Sequence, residues 1–346
     1  MTAARTVQTD DTTKPGRLAQ LWLWSARHPA VFPAAMIVIT CAIIGAVNPD
    51  FLHVANLFDI LRASAIRGLL ALGVFVVLAA GGLDVSFTAI AAFVMYSLTL
   101  IVVNFLPGAG IVPILACAAL AGGVLGAVNG LLVNALRAPA LIVTIGTQYA
   151  LRGALLSFVG TALFMNIPGS MSAFGQMPLA TVTTARGLTV TLPAYVLLTV
   201  IVALATSWML NYTLIGRAVF AVGGKPEIAA RLGFRVAHVR IFVFAYAGML
   251  AGIAGVLHVS ANRLANPFDL AGTELPVIAA VVLGGARITG GSGTVLGTML
   301  GVILITLVSS VLILLGIPSS WQTAILGGFI ILAGLFFARI DRMILK

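Results

Sequence analysis

The sequence predicts an all-α fold: a polytopic transmembrane bundle of about ten membrane segments, some broken or re-entrant, with both termini in the cytosol. Three observations carry that reading. Hydrophobic residues make up 61 % of the 346-residue chain and charged residues only 8 %, against about a quarter charged in soluble domains. Apolar runs approaching or exceeding ~18 residues, the length that crosses a bilayer core, recur along the chain. The positive charge is distributed unevenly between alternate loops. A transmembrane barrel would need alternating segments of about ten residues, and none occurs.

Reading the apolar runs in order gives segments at 31–48, 67–82, 86–106, 112–135, 141–164, 191–210, 240–260, 275–286, 293–316 and 321–338. The eighth is short for a span, and almost nothing separates the second from the third. Both read as broken elements, which a membrane protein tolerates where protein surrounds the freed backbone. Segment 49–66 alternates polar and apolar groups at near-helical spacing and is expected to lie flat on the outer interface. The stretch 165–190, rich in Ser, Thr, Gly and Pro, is the longest external region.

Orientation follows from lysine and arginine. With both termini inside, 14 of the 19 fall in cytosolic segments, among them Arg137, Arg217, Lys225, Arg231, Arg235, Arg240 and Arg287. Only Arg62, Arg186 and Arg263 fall in external loops, while Arg67 sits at a border and Arg152 within a span. The expected organisation is a cytosolic tail at 1–30, one membrane domain at 31–338 with a basic loop at 211–239, and a second tail at 339–346.

Several function classes are set aside by what the chain lacks. The net charge of +10 flanks apolar spans and forms no continuous stripe, so it does not point to nucleic acid. A phosphate-binding loop requires G-x-x-x-x-G-K followed by Ser or Thr, but Gly223-Gly224-Lys225 is followed by Pro226. The chain is therefore expected to bind no ATP or other cofactor itself. Cys41 and Cys117 lie in apolar segments and read as small buried hydrophobes. His28, His53, His238 and His258 are scattered, with no zinc-helix or Ser-centred catalytic pattern, so the chain is not expected to be an enzyme.

Polar residues inside apolar segments are the candidate site. Asp84 follows Gly81-Gly82-Leu83, where the glycines permit a break. It either caps the following half-helix or contacts a solute. Arg152 lies within its span and reads as a structural polar group, as does Glu274. Asn129, Asn134, Thr144 and Gln148 offer uncharged hydrogen-bonding groups, suited to a neutral polyhydroxyl ligand or to holding helices together. Gly122, Gly126 and Gly130 recur at every fourth position, as close helix packing requires. The breaks AAGGLDVS and LGGARITGGSG faintly resemble each other.

The densest charge lies between Gly216 and Gly255, and within it Glu227-Ile-Ala-Ala-Arg-Leu-Gly233 reads as a short helix ended by glycine. That string resembles the loop by which permeases of ATP-binding-cassette (ABC) importers engage their ATPases. The bland alternative is a solvated positive loop. Three further strings follow the same pattern: NLFDILRASAIRGLLALGVFVVLAAGGLDVS, GAVNGLLVNALRAPALIVTIGTQYALRG and ELPVIAAVVLGGARITGGSGTVLGTMLG. Together they resemble the ribose-type permease family of ABC importers, which is related to the branched-chain amino acid permeases. The likeness covers nearly everything from residue 49 to 338. Phe87-Thr88, the turn Arg137-Ala138-Pro139-Ala140, and Pro276 after Glu274-Leu275 depart from the family's usual residues.

The resemblance implies a non-catalytic permease subunit in a bacterial inner membrane, importing a neutral monosaccharide or related polyol. It implies ABC ATPase subunits that use ATP, a second permease subunit (identical or paralogous) and a periplasmic sugar-binding protein. It places ATPase coupling on Glu227, Ala229, Ala230, Arg231 and Gly233. Asp84, Asn129, Asn134, Thr144 and Gln148 are the translocation-pathway candidates. Two alternatives stay open: an ABC permease for branched-chain amino acids or another small solute, and a secondary transporter relaying protons through Asp84 and Glu274.

Overall fold

The structure is a computed structural model that describes residues 30–47, 51, 53–183, 187, 189–314, 318, 321, 324–325, 327–328 and 331. The expected tails therefore lie outside the described residues, apart from residue 30, as does most of the segment expected at 321–338. Seven described helices are long and apolar enough to cross a membrane. They are α2 (Val54–Ala79), α3 (Phe87–Phe105), α4 (Ile111–Leu136), α5 (Ala140–Ala154, prolonged by a π-turn to Val159), α7 (Tyr195–Tyr212), α10 (Val236–Asn262) and α12 (Val295–Leu314). Shorter helices are α1 (Val31–Val47), α6 (Gly169–Gln176), α8 (Leu214–Gly224), α9 (Pro226–Arg231) and α11 (Glu274–Leu283).

Helix α2 is the axis of the bundle. From Gly68 to Ala80 every residue is buried, which suits a stretch that is apolar on all sides. Helix α10 packs against α2, α3 and α4. The glycine series of α4 makes the last contact possible. A Cβ at Gly122 would fall on the Gly248 carbonyl, one at Gly126 on the Phe244 carbonyl, and one at Gly130 within 2.6 Å of the Ile241 Cα. Such backbone-to-backbone approach is how membrane helices gain dispersion energy without a hydrophobic driving force.

One expectation is corrected here. Residues 49–66 were read as an interfacial segment separate from 67–82, yet from Val54 they run unbroken into α2. The polar residues Asp59 and Arg62 form an i,i+3 ion pair at 3.0 Å, so a helix end can carry both without lying flat. The break after α2 appears where expected. Gly81 takes φ +78°, a conformation open to glycine at no steric cost, and the backbone stays irregular until α3 begins at Phe87.

The segment expected at 141–164 also ends early, at Val159. Beyond it, Phe164 exchanges backbone hydrogen bonds with Ala265 at 3.1 and 2.9 Å, and the Tyr96 hydroxyl donates to the Ala162 carbonyl at 2.9 Å. The region 165–190 contains α6 and an antiparallel hairpin, β1 (Pro178–Thr183) with β2 (Thr189–Pro193).

Three close backbone contacts, each involving glycine, meet at one point of the bundle. Gly291 N–H donates to the Ala79 carbonyl at 3.0 Å. A Cβ on Gly290 would lie 2.6 Å from the Gly81 Cα, and one on Gly223 would lie 2.7 Å from the Gly291 nitrogen. The breaks that follow α2 and α11 and the last turn of α8 therefore touch through bare backbone.

Candidate functional site

The first polar cluster is built on the break after α2. Asp84, wholly buried, accepts at Oδ1 from the Ser86 amide at 2.8 Å and the Ser86 hydroxyl at 2.6 Å. Asn129 on α4 donates to Ser86 Oγ at 2.7 Å. Thr144 on α5 donates to the Leu83 carbonyl at 3.3 Å and accepts from the Val85 amide at 3.4 Å. Asp84 and Thr144 thus spend polar groups on irregular backbone that no helix ladder satisfies, while Asn129 holds the Ser86 hydroxyl. Asp84 Oδ2 is buried without a hydrogen-bond partner.

A second cluster converges on Glu274, the first residue of α11. Its Oε1 accepts from Arg152 Nη2 at 2.5 Å, Thr88 Oγ1 at 2.6 Å and Gln148 Nε2 at 2.9 Å. Arg152 Nη2 also reaches Thr88 Oγ1 at 3.3 Å. Gln148 and Arg152 are four residues apart on α5 and so share a face. Their partners come from α3 and α11, so one oxygen ties three helices. The Arg152 and Glu274 side chains remain 28 % and 12 % exposed. An ion pair inside a membrane protein is kept from lipid by facing protein or an aqueous space.

The third feature is the basic loop. Pro226 opens α9 at its first position, where its missing N–H costs nothing. The helix ends in a Schellman arrangement: Gly233 N–H donates to the Ala230 carbonyl at 3.0 Å and Phe234 N–H to the Ala229 carbonyl at 3.1 Å. Gly233 takes φ +89°, the left-handed conformation this end requires. Glu227, Ala230, Arg231 and Leu232 are exposed, and Ile228 and Leu232 are 49 % and 71 % open. Two large apolar residues on a charged loop make a surface fit for docking.

Two corrections concern the expected site residues. Ala229, expected to face an ATPase, is buried in this chain's own core, because one face of α9 must rest on the bundle. Asp84, Asn129 and Thr144, expected along a solute path, are sealed in the first cluster. Hydrogen bonds to the backbone and the Ser86 hydroxyl at the break engage them. Asn134 stands apart and donates to the Ala237 carbonyl at 2.9 Å, tying α4 to α10. Gln148 belongs to the second cluster with Arg152 and Glu274. Thr88 is the member that sequence reading did not single out. Its only signal was its place where the family's usual small residues are replaced.

Comparison with known proteins supplies the family. The family model described as branched-chain amino acid transport system / permease component matches residues 56–334. The ribose import permease protein of Escherichia coli strain K12 is 33 % identical over 302 residues, covering 86 % of this chain and 90 % of that protein. The autoinducer 2 import system permease protein of Yersinia pseudotuberculosis serotype O:3 strain YPIII is 32 % identical over 303 residues, covering 86 % and 80 %. No solved structure matches.

Proposed function

Since the chain belongs to the permease family described as branched-chain amino acid transport system / permease component, we propose that it is the transmembrane subunit of an ABC importer for a neutral monosaccharide or related polyol. It receives the solute from a periplasmic binding protein and releases it unmodified to the cytosol. Its relatives are transport permeases and not enzymes. The observation that carries the solute class is the 33 % identity to a ribose import permease across 86 % of the chain.

The second cluster agrees with that class. The Arg152–Glu274 pair sums to no net charge, so it holds no unmatched charge that would retain or repel an ion. The remaining polar groups, Gln148 and Thr88, are neutral. In this reading both termini are cytosolic, the membrane is the bacterial inner membrane, and 211–239 faces the ATPases. Glu227, Ile228, Ala230, Arg231 and Leu232 present the docking surface. Ala229 seats α9 on the permease, and Gly233 turns the chain out of the contact. ATP is consumed by the partner subunits. Movement of α9 passes through α8 to Gly223, which lies against the breaks after α2 and α11.

The family description itself favours a second reading, a branched-chain amino acid as cargo. Reconstitution with the cognate ATPase and binding protein, followed by uptake of labelled sugars and leucine, separates the two. Robust leucine uptake with no sugar uptake would overturn the first. The proton-relay reading has less support, since no hydrogen bond joins the Asp84 cluster to Glu274 among the described residues.

A further inference from the structure

The Glu274 cluster has unused capacity on one side only. All three donors converge on Oε1, while Oε2 accepts nothing among the described residues. Among the described residues Arg152 donates through Nη2 alone, which leaves its other N–H groups open. Gln148 spends its amide nitrogen on Glu274 and keeps its oxygen. Thr88, by contrast, is fully buried, so it positions the carboxylate from behind. The open atoms are a carboxylate acceptor, an amide acceptor and guanidinium donors, held by hydrogen bonds already made.

Tyr149 lies on the same helix, three residues before Arg152 and so on a neighbouring face, with 73 % of its surface exposed. A Cβ at Gly146 or Gly153 would meet no atom within 4 Å, so the ring is flanked by open space. An aromatic ring gives an apolar face with a polar tip. A sugar has the complementary form: C–H faces bordered by hydroxyls that each donate and accept.

We propose that Gln148, Tyr149, Arg152 and Glu274 form a hydroxyl-binding subsite for the transported polyol, with Thr88 as a positioning residue. The inference rests on the importer reading and deepens it. The ion pair offers donors and an acceptor together without net charge, so it matches hydroxyls and disfavours a solute carrying net charge of one sign. Only a few contacts are available, which suits a site a solute must enter and leave.

The test uses the reconstituted importer with its ATPase and binding protein in proteoliposomes. The labelled probes are D-ribose, D-glucose, their 2-deoxy analogues and leucine. Gln148→Ala and Tyr149→Leu change a half-buried and an exposed side chain and spare the ion pair. Each is expected to slow uptake of the transported sugar roughly two- to tenfold, about the worth of one hydrogen bond, and to shift its ratio to the deoxy analogue. The exchange Arg152→Glu with Glu274→Arg restores a pair but swaps donor and acceptor positions, and is expected to remain slow. Wild-type rates and ratios in Gln148→Ala and Tyr149→Leu, or full recovery in the exchange variant, would reduce the cluster to a structural tether and overturn the proposal. Leucine uptake by the wild type with no sugar uptake would overturn the importer reading and the subsite with it.

Discussion

Gly291 hands its amide hydrogen to the carbonyl of Ala79 at 3.0 Å, closing the end of α2 with backbone from the break after α11. Gly223 fits against the same carbonyl because it has no side chain. A junction of this kind tolerates no added atom, since its contacts are backbone on every side.

Gly223→Ala is therefore expected to destabilise the protein by about 1–3 kcal/mol, the usual cost of overpacking. Gly224→Ala is expected to be mild, because a Cβ there meets nothing within 4 Å. Thermal unfolding of both purified variants in detergent checks the contrast. Equal stability would remove the junction from the account.

On α9, Ile228→Asp is expected to abolish co-purification with the ATPase while membrane insertion stays normal. Ala229→Leu acts differently, lowering the stability of the permease itself because Ala229 is part of its core. Gly233→Val forces a β-branched residue to φ +89° and is expected to end ATP-coupled uptake. Full uptake by Gly233→Val would exclude α9 from coupling.

For Asp84, the Asn variant keeps an oxygen that accepts the Ser86 amide and hydroxyl, so most uptake is expected to survive. Asp84→Leu leaves those donors unpaired at a cost of about 1–3 kcal/mol and is expected to fail to accumulate. A proton relay predicts instead that Asn is as damaging as Leu. Comparing uptake and expression of both variants decides between them.

The α4–α10 contact gives a fourth measurement. Gly126→Leu drives a side chain into the Phe244 carbonyl and is expected to prevent folding. Gly123→Ala places its Cβ at 3.7 Å from the Ala245 oxygen, an ordinary contact, and is expected to leave the melting temperature unchanged.

Much of this bundle was legible in the sequence because lipid forces helices to announce themselves as apolar runs between charges. The glycine series of α4 and the helix ended by Gly233 were visible for similar local reasons. Residues 54–66 misled because Asp59 and Arg62 look interfacial when read one at a time, and their mutual pairing is invisible to an alternation pattern. The Glu274 cluster was hidden by distance, since Arg152 and Glu274 lie in separate segments and each alone resembles a stray structural charge. Ala229 faced the wrong way because a six-residue helix has too few positions to define a buried side.

The enclosure of α2 sets the order of assembly during synthesis. Its residues 68–79 are fully surrounded in the finished protein, yet α10, which covers much of that surface, begins only at Val236. At ribosomal rates of ~5–20 residues per second, the growing chain holds α2 in lipid for on the order of ten seconds before α10 emerges. An all-round apolar helix is stable in that interval, because hydrocarbon serves it as well as protein does. The same uniform surface that makes α2 a good centre for the bundle also lets it wait, unpartnered, for the rest of the chain.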